Sequence, residues 1–196
     1  SNTTGGNNVG IGGDALSSNS TGSSNTAVGR FALQSNTSGY SNMAAGDFAL
    51  NANTTGYRNT ASGSSSLYSN TTGHENTAGG FWSLYSNTEG NWNTANGYAS
   101  LYWNIAGSYN TAGGGNALNY NTTGSYNVAY GMQALMNNVA GSRATAVGFS
   151  AMLNANNTAD LFENHSVAMG YEALRGSASA AANTGNNNTA VGYQTL

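Results

Sequence analysis

The sequence predicts an all-β fold, a parallel β-solenoid (β-roll) of about eleven 17-residue coils, on three observations. A motif of the form N-T-A-x-G starts at Asn8, Asn25, Asn42, Asn59, Asn76, Asn93, Asn110 and Asn127, each 17 residues after the last, and in altered form at Ala144. Two further copies, at Ser166 and Asn188, follow steps of 22 residues, so five residues are inserted twice. Within the copies a small residue, a glycine, a leucine and an asparagine each keep a fixed place. Self-similarity at a fixed short period marks a solenoid, in which each copy closes one coil against the next. No window carries a 3.6-residue apolar period and glycine recurs throughout, which excludes helical repeats.

The first element of each copy is a strand. Two residues past the start stand Gly10, Ala27, Ala44, Ala61, Ala78, Ala95, Ala112, Ala129, Ala146, Ala168 and Ala190, and four past it every copy has glycine, from Gly12 to Gly192. Residues two apart in a strand share a face, so both columns are expected to point inward, where only tight packing demands side chains that small. Eight past the start runs the large apolar column, Leu16, Leu33, Leu50, Leu67, Leu84, Leu101, Leu118, Leu135, Met152, Leu174 and Leu196, expected as a second inward face. Eleven past the start asparagine recurs from Asn19 through Asn138, opening segments such as N-T-T-G. This is turn chemistry, with the glycine expected at positive φ and the asparagine bonding the local backbone.

Each strand is expected to pair with its copy one coil above, which lets identical side chains form hydrogen-bonded ladders. Asn25, Asn42, Asn59, Asn76, Asn93 and Asn110 are assigned that structural role. At ~4.7 Å per coil the result is a rod roughly 50 Å long. Its core is thin for that length, so backbone ladders must carry much of the order, and lateral association of several chains would add to it. Residues 1–196 read as a single solenoid domain, with insertions near 155–165 and 176–187 expected to bulge as loops.

Composition narrows the partners. Charged residues are 6% of the chain, lysine, proline and cysteine are absent, and the net charge is −3. That leaves no basic footprint for nucleic acid and no polybasic patch for an anionic membrane. No apolar run approaches the ~18 residues of a membrane helix, so no membrane insertion is expected. Without cysteine there is no disulfide framework and no thiolate metal site. The first residues, SNTTGG, are neither an initiator methionine nor a signal peptide, so a processed chain or a piece of a longer one is expected.

The copies NTAVG at Asn25 and Asn188, and HSVAMGYEAL from His165 to Leu174, resemble the head repeats of trimeric autotransporter adhesins. They are equally similar to the repeat arrays of phage and viral tail-fibre proteins. The resemblance covers nearly the whole chain. Those adhesin heads are left-handed parallel β-rolls that trimerise, so it implies a left-handed roll and a homotrimer, and it brings no catalytic residues. The adhesin repeats are shorter, and the position held here by Val28, Ala45, Ser62, Gly79, Asn96, Gly113 and Tyr130 is usually apolar in them.

No catalytic, cofactor or metal residues are assigned. The acidic residues are scattered, and only Asp160 and Glu163 lie close together, beside His165 in the insertion ADLFENHS. That cluster reads as a metal or receptor site on a protruding loop or as a solvated excursion, since charge collects in loops. His74 stands at a turn and reads as a surface residue. The aromatic residues are more pointed. Tyr68, Tyr85 and Tyr102 occupy one column in successive coils directly after the leucine, hence facing outward, and Trp82, Trp92, Tyr98 and Trp103 lie in the same middle coils. Three roles stay open for them: a self-stacking ladder, an interface between chains, or a surface for stacking sugar rings. Sequons at Asn19, Asn36, Asn53, Asn70 and Asn121 fall out of the turn repeat itself.

The expected function is a structural or adhesive fibre segment, non-enzymatic, extracellular, at a cell surface or on a virion, self-assembling into a filament or an oligomeric stalk. The alternative is an adhesin head that binds a cell-surface glycan or receptor. Ice binding ranks below both, because the threonine column (Thr26, Thr60, Thr77, Thr94, Thr111, Thr145) lacks a regular partner column two residues on. A polysaccharide-cleaving tailspike would want paired carboxylates, and none are paired on the coils. The phase of the ends suggests end-to-end pairing: Leu196 is the eighth residue past a motif start and Ser1 stands where the tenth would be.

Overall fold

In the computed structural model, which describes residues 2–155, 158–177 and 185–195, each motif copy folds as a three-residue strand. The strands are β1 (Val9–Ile11), β2 (Thr26–Val28), β3 (Met43–Ala45), β4 (Thr60–Ser62), β5 (Thr77–Gly79), β6 (Thr94–Asn96), β7 (Thr111–Gly113), β8 (Val128–Tyr130), β10 (Thr145–Val147), β12 (Val167–Met169) and β13 (Thr189–Val191). All eleven pair in parallel, in chain order, as one sheet. The first nine follow one another at 17-residue steps and the last two at 22. Register is kept throughout: Ala27 faces Ala44, Ala95 faces Ala112, and Ala146 faces Ala168 across the first insertion. The chain is a parallel β-solenoid.

The coil closes through backbone conformations that the sequence concealed. The glycines four past each motif start do end the strand at positive φ, between +125° and +148°. A Cβ on Gly46 would also lie 2.5 Å from the Gly63 carbonyl oxygen of the next coil. The turn glycines Gly22, Gly39, Gly56 and their copies, by contrast, are not in the left-handed region. They are glycine for want of room, since a Cβ on Gly39 would strike the Gly56 carbonyl oxygen and Asn36 Oδ1. The expectation of positive φ there is corrected on that ground.

The left-handed turns are made instead by residues with side chains. In the second copy Phe31, Leu33 and Ser41 have φ of 60°, 50° and 54°, and the leucine column repeats this from Leu16 to Leu174. Left-handed backbone costs an L-residue ~1–2 kcal/mol. Full burial of a leucine contributes ~1.5–3 kcal/mol. The turn at Leu33 and its copies is therefore held in place by the side chain it drives inward.

The interior consists of five columns. Alanines from Ala27 to Ala168 and leucines from Leu33 to Leu135 are fully buried apart from Ala112 at 1%. A third small column, Ala32, Ala49, Ser66, Ser83, Ser100, Ala117 and Ala134, is buried beside the leucines, its serines bonded to the strand-ending glycines as in Ser66 Oγ to Gly63 O at 2.8 Å. The other two columns are asparagines. Asn36 Nδ2 donates to Asn19 Oδ1 at 2.7 Å and to Gly39 O at 3.0 Å, and this pattern climbs to Asn138. In the motif column the backbone N–H of Asn42 donates to Asn25 Oδ1 at 3.0 Å while Asn42 Nδ2 donates to Gly56 O at 2.9 Å. The same bonds recur at Asn59, Asn76, Asn93 and Asn110. A buried primary amide needs all its partners, and the translational repeat supplies them.

The first insertion is not loop throughout. Phe162–Glu163 (β11) pairs in parallel with Gly141–Ser142 (β9), forming a separate two-stranded sheet. Of the second insertion, residues 178–184 lie outside the described residues, as do 156–157 of the first and both Ser1 and Leu196.

Candidate functional site: the aromatic rows and the groove beside them

A residue and its copy one coil on stand in adjacent coils one strand spacing apart, so identical ring types at one offset fall within stacking distance. Tyr68, Tyr85 and Tyr102 do so, with centroids 5.0 Å apart and planes within 5° at both steps. Phe48 lies tilted against the lower end at 6.1 Å from Tyr68, and Trp103, the next residue of the chain, meets Tyr102 in a T-shaped contact at 4.9 Å. The tyrosines are half-buried rather than fully outward. Burial first, and then the neighbouring phenols of Tyr102 and Tyr68, push the Tyr85 hydroxyl above its ordinary pKa. The faces of these rings are occupied by one another.

Trp82 and Trp103 both reach Tyr102, while Trp92 stands apart. Trp82 packs on Phe81 at 4.4 Å and edge-on against Tyr102 at 6.0 Å. Trp92 belongs to another row, stacked on Tyr109 at 6.4 Å, which stacks on Tyr126 at 4.9 Å, with the Arg143 guanidinium 5.6 Å above the last ring. Two further rows, Tyr40–Tyr57–His74 and Phe149–Tyr171–Tyr193, escaped the sequence reading. The signal was present: an aromatic residue followed by another one period later, 17 residues or 22 across an insertion.

Trp103 and Tyr120 break the pattern. They occupy one column in adjacent coils, yet they do not stack on each other. Among the described residues Trp103 makes one ring contact, T-shaped with Tyr102, and Tyr120 meets no other ring. Instead the two line an open groove of about 520 Å³ together with Thr122, Asn137 and Val139.

The charged groups form small, separate clusters of two or three. Arg30 meets Asp47 at 3.1 Å and Arg58 meets Glu75 at 2.8 Å, each across one coil. The hydrogen bond and charge of Asp47 raise the Arg30 pKa. Glu163, set beside Arg143 by the pairing of β11 with β9, meets Arg143 Nε at 3.3 Å and His165 Nε2 at 3.4 Å. The described residues hold no group of three or more His, Cys, Asp or Glu able to share a metal ion. No helix among them is long and apolar enough to cross a membrane. The sequon side chains Asn19, Asn36, Asn53, Asn70 and Asn121 are buried within the asparagine ladder.

Comparison with protein-family models, with curated proteins and with solved structures finds no match to this chain.

Proposed function

We propose that this chain is a rigid, non-enzymatic segment of an extracellular or virion fibre, spacing or presenting something else. The observation that carries the reading is the pair of asparagine ladders, one running from Asn8 to Asn127 and the other from Asn19 to Asn138: over that length each coil offers the next the same donors and acceptors in the same register. Such an interior gives length and stiffness by repetition and makes any single coil dispensable, as a spacer requires. Self-association into a stalk or filament belongs to the same reading. It is favoured by large apolar side chains left on the outer face of the long sheet, with Ile11, Met169 and Val191 each about half exposed or more.

Excision of residues 59–75, one complete copy, tests this in the parent appendage. The shortened chain should fold with Arg58 joined to Asn76, and the rod should shorten by about one strand spacing, ~4.8 Å. The appendage should still assemble and work. Loss of its function while the shortened rod stays folded would mean that the excised coil carries a specific site, and the spacer reading would fall.

A further inference from the structure

We infer that the groove at Trp103 and Tyr120 is a binding subsite for a neutral saccharide. Four observations on the groove converge. The first is ring-face availability. A sugar stacks its C–H face on an aromatic face, and inside the rows described above those faces are covered by the next ring, as for Tyr85 and Tyr109. In this groove Trp103 is 47% exposed and Tyr120 45%, with neither stacked on another ring.

The second is charge. Residues 90–142 contain no Asp, Glu, Lys, Arg or His. An anionic sugar, a nucleotide or a nucleic acid would lose hydration here with no cation in return. The third is size. Among the described residues five side chains line the groove, against the ~20–30 residues a side of a stable protein interface. Its volume of about 520 Å³ falls inside the ~300–1,000 Å³ of small-molecule pockets.

The fourth is the set of polar groups left over. Asn137 Nδ2 is committed to Asn154 Oδ1 at 2.6 Å and the Thr122 hydroxyl to Val139 O at 3.0 Å. The Trp103 indole N–H, the Tyr120 hydroxyl and Asn137 Oδ1 make no hydrogen bond among the described residues. Donors and an acceptor around an apolar face match a pyranose, which has hydroxyls around a C–H face. An acyl chain would bury those groups unpaired, at a cost a saccharide avoids. This site is independent of the fibre reading, since a rod that only spaces would not need it.

The chain has three tryptophans, so three indole N–H signals report on Trp82, Trp92 and Trp103 separately once Trp→Phe variants assign them. The probes are the methyl glycosides of glucose, galactose, mannose and N-acetylglucosamine, with their linear oligomers. At least one neutral probe should shift the Trp103 signal saturably, with dissociation constants on the order of 1 mM, while Trp82 and Trp92 stay still. Tyr120→Ala should weaken binding at the Trp103 signal by about tenfold or more, whereas Trp92→Ala, with an otherwise unchanged spectrum, should not. The inference is overturned if no neutral probe moves Trp103. It is equally overturned if sialyllactose or an alkyl glycol binds there as tightly as the best neutral sugar. Coil excision tests the fibre, these titrations test the groove, and either can fail alone.

Discussion

At its buried positions the solenoid tolerates almost nothing. Ala95 is fully buried opposite Ala78 and Ala112, so every added methylene must displace an alanine above and below it. Ala95→Leu or Ala112→Leu should destabilise by roughly 1–3 kcal/mol through overpacking, read as a lower midpoint of denaturant unfolding. A neutral result at both would contradict the burial of this column. The leucine column is constrained differently, because Leu84 and Leu101 both hold φ of 51°. At these sites a large side chain turns the backbone left-handed by being buried, so the residue type is fixed by the core and its conformation follows.

At the scale of the coil, glycine and the aromatic rows set the tolerances. Gly46 is both in positive φ and against the next coil, whereas Gly56 is only against the next coil, its added Cβ meeting Asn53 Oδ1 and the Gly73 carbonyl oxygen. Gly56→Ala should therefore be about as damaging as Gly46→Ala, more than ~2 kcal/mol, although no unusual φ is lost. Urea titration of the two variants decides it, and a mild Gly56→Ala would show that the coils can separate there. The tyrosine row gives a pH dependence. The Tyr85 phenol has a folded-state pKa above its unfolded value, so its protonated form is favoured by folding. The stability it contributes is complete below ~10, the ordinary tyrosine pKa, and is lost as pH rises through the raised value. Tyr85→Phe should unfold less steeply than the parent chain above that pH, measured by far-ultraviolet circular dichroism in alkaline titration.

Across the whole molecule the ladders behave as continuous lines that end where the repeat is interrupted. The turn ladder stops at Asn138, whose Oδ1 is buried with no hydrogen-bond partner. The position one coil on is Ala155, which keeps the backbone bond of the column, its N–H donating to Met152 O at 3.1 Å as Asn138 donates to Leu135 O at 3.0 Å. Ala155→Asn should extend the ladder and stabilise the rod by about 1 kcal/mol, seen as a raised thermal midpoint. A destabilised variant would show that the insertion has moved this coil out of line.

The 17-residue period, the alanine and leucine columns and the two asparagine columns were legible in the sequence because a stack of coils repeats one environment, and one environment selects one residue type. The sequence thus determined the architecture and the inward columns from Ala27 to Ala168 and from Leu33 to Leu135. It could not settle why Gly39 is glycine, because a Cβ collision with the next coil leaves the same mark as a positive φ. Nor did it reveal that Phe162–Glu163 would pair with Gly141–Ser142, since a two-residue strand has no period to detect. The site shows the same division. Trp103 was visible as an aromatic residue of the middle coils, but Tyr120, Asn137 and Val139 joined it only in three dimensions. Only the tertiary structure decided which rings spend their faces on each other, because stacking depends on ring orientation across coils, while the sequence records only that a ring is present.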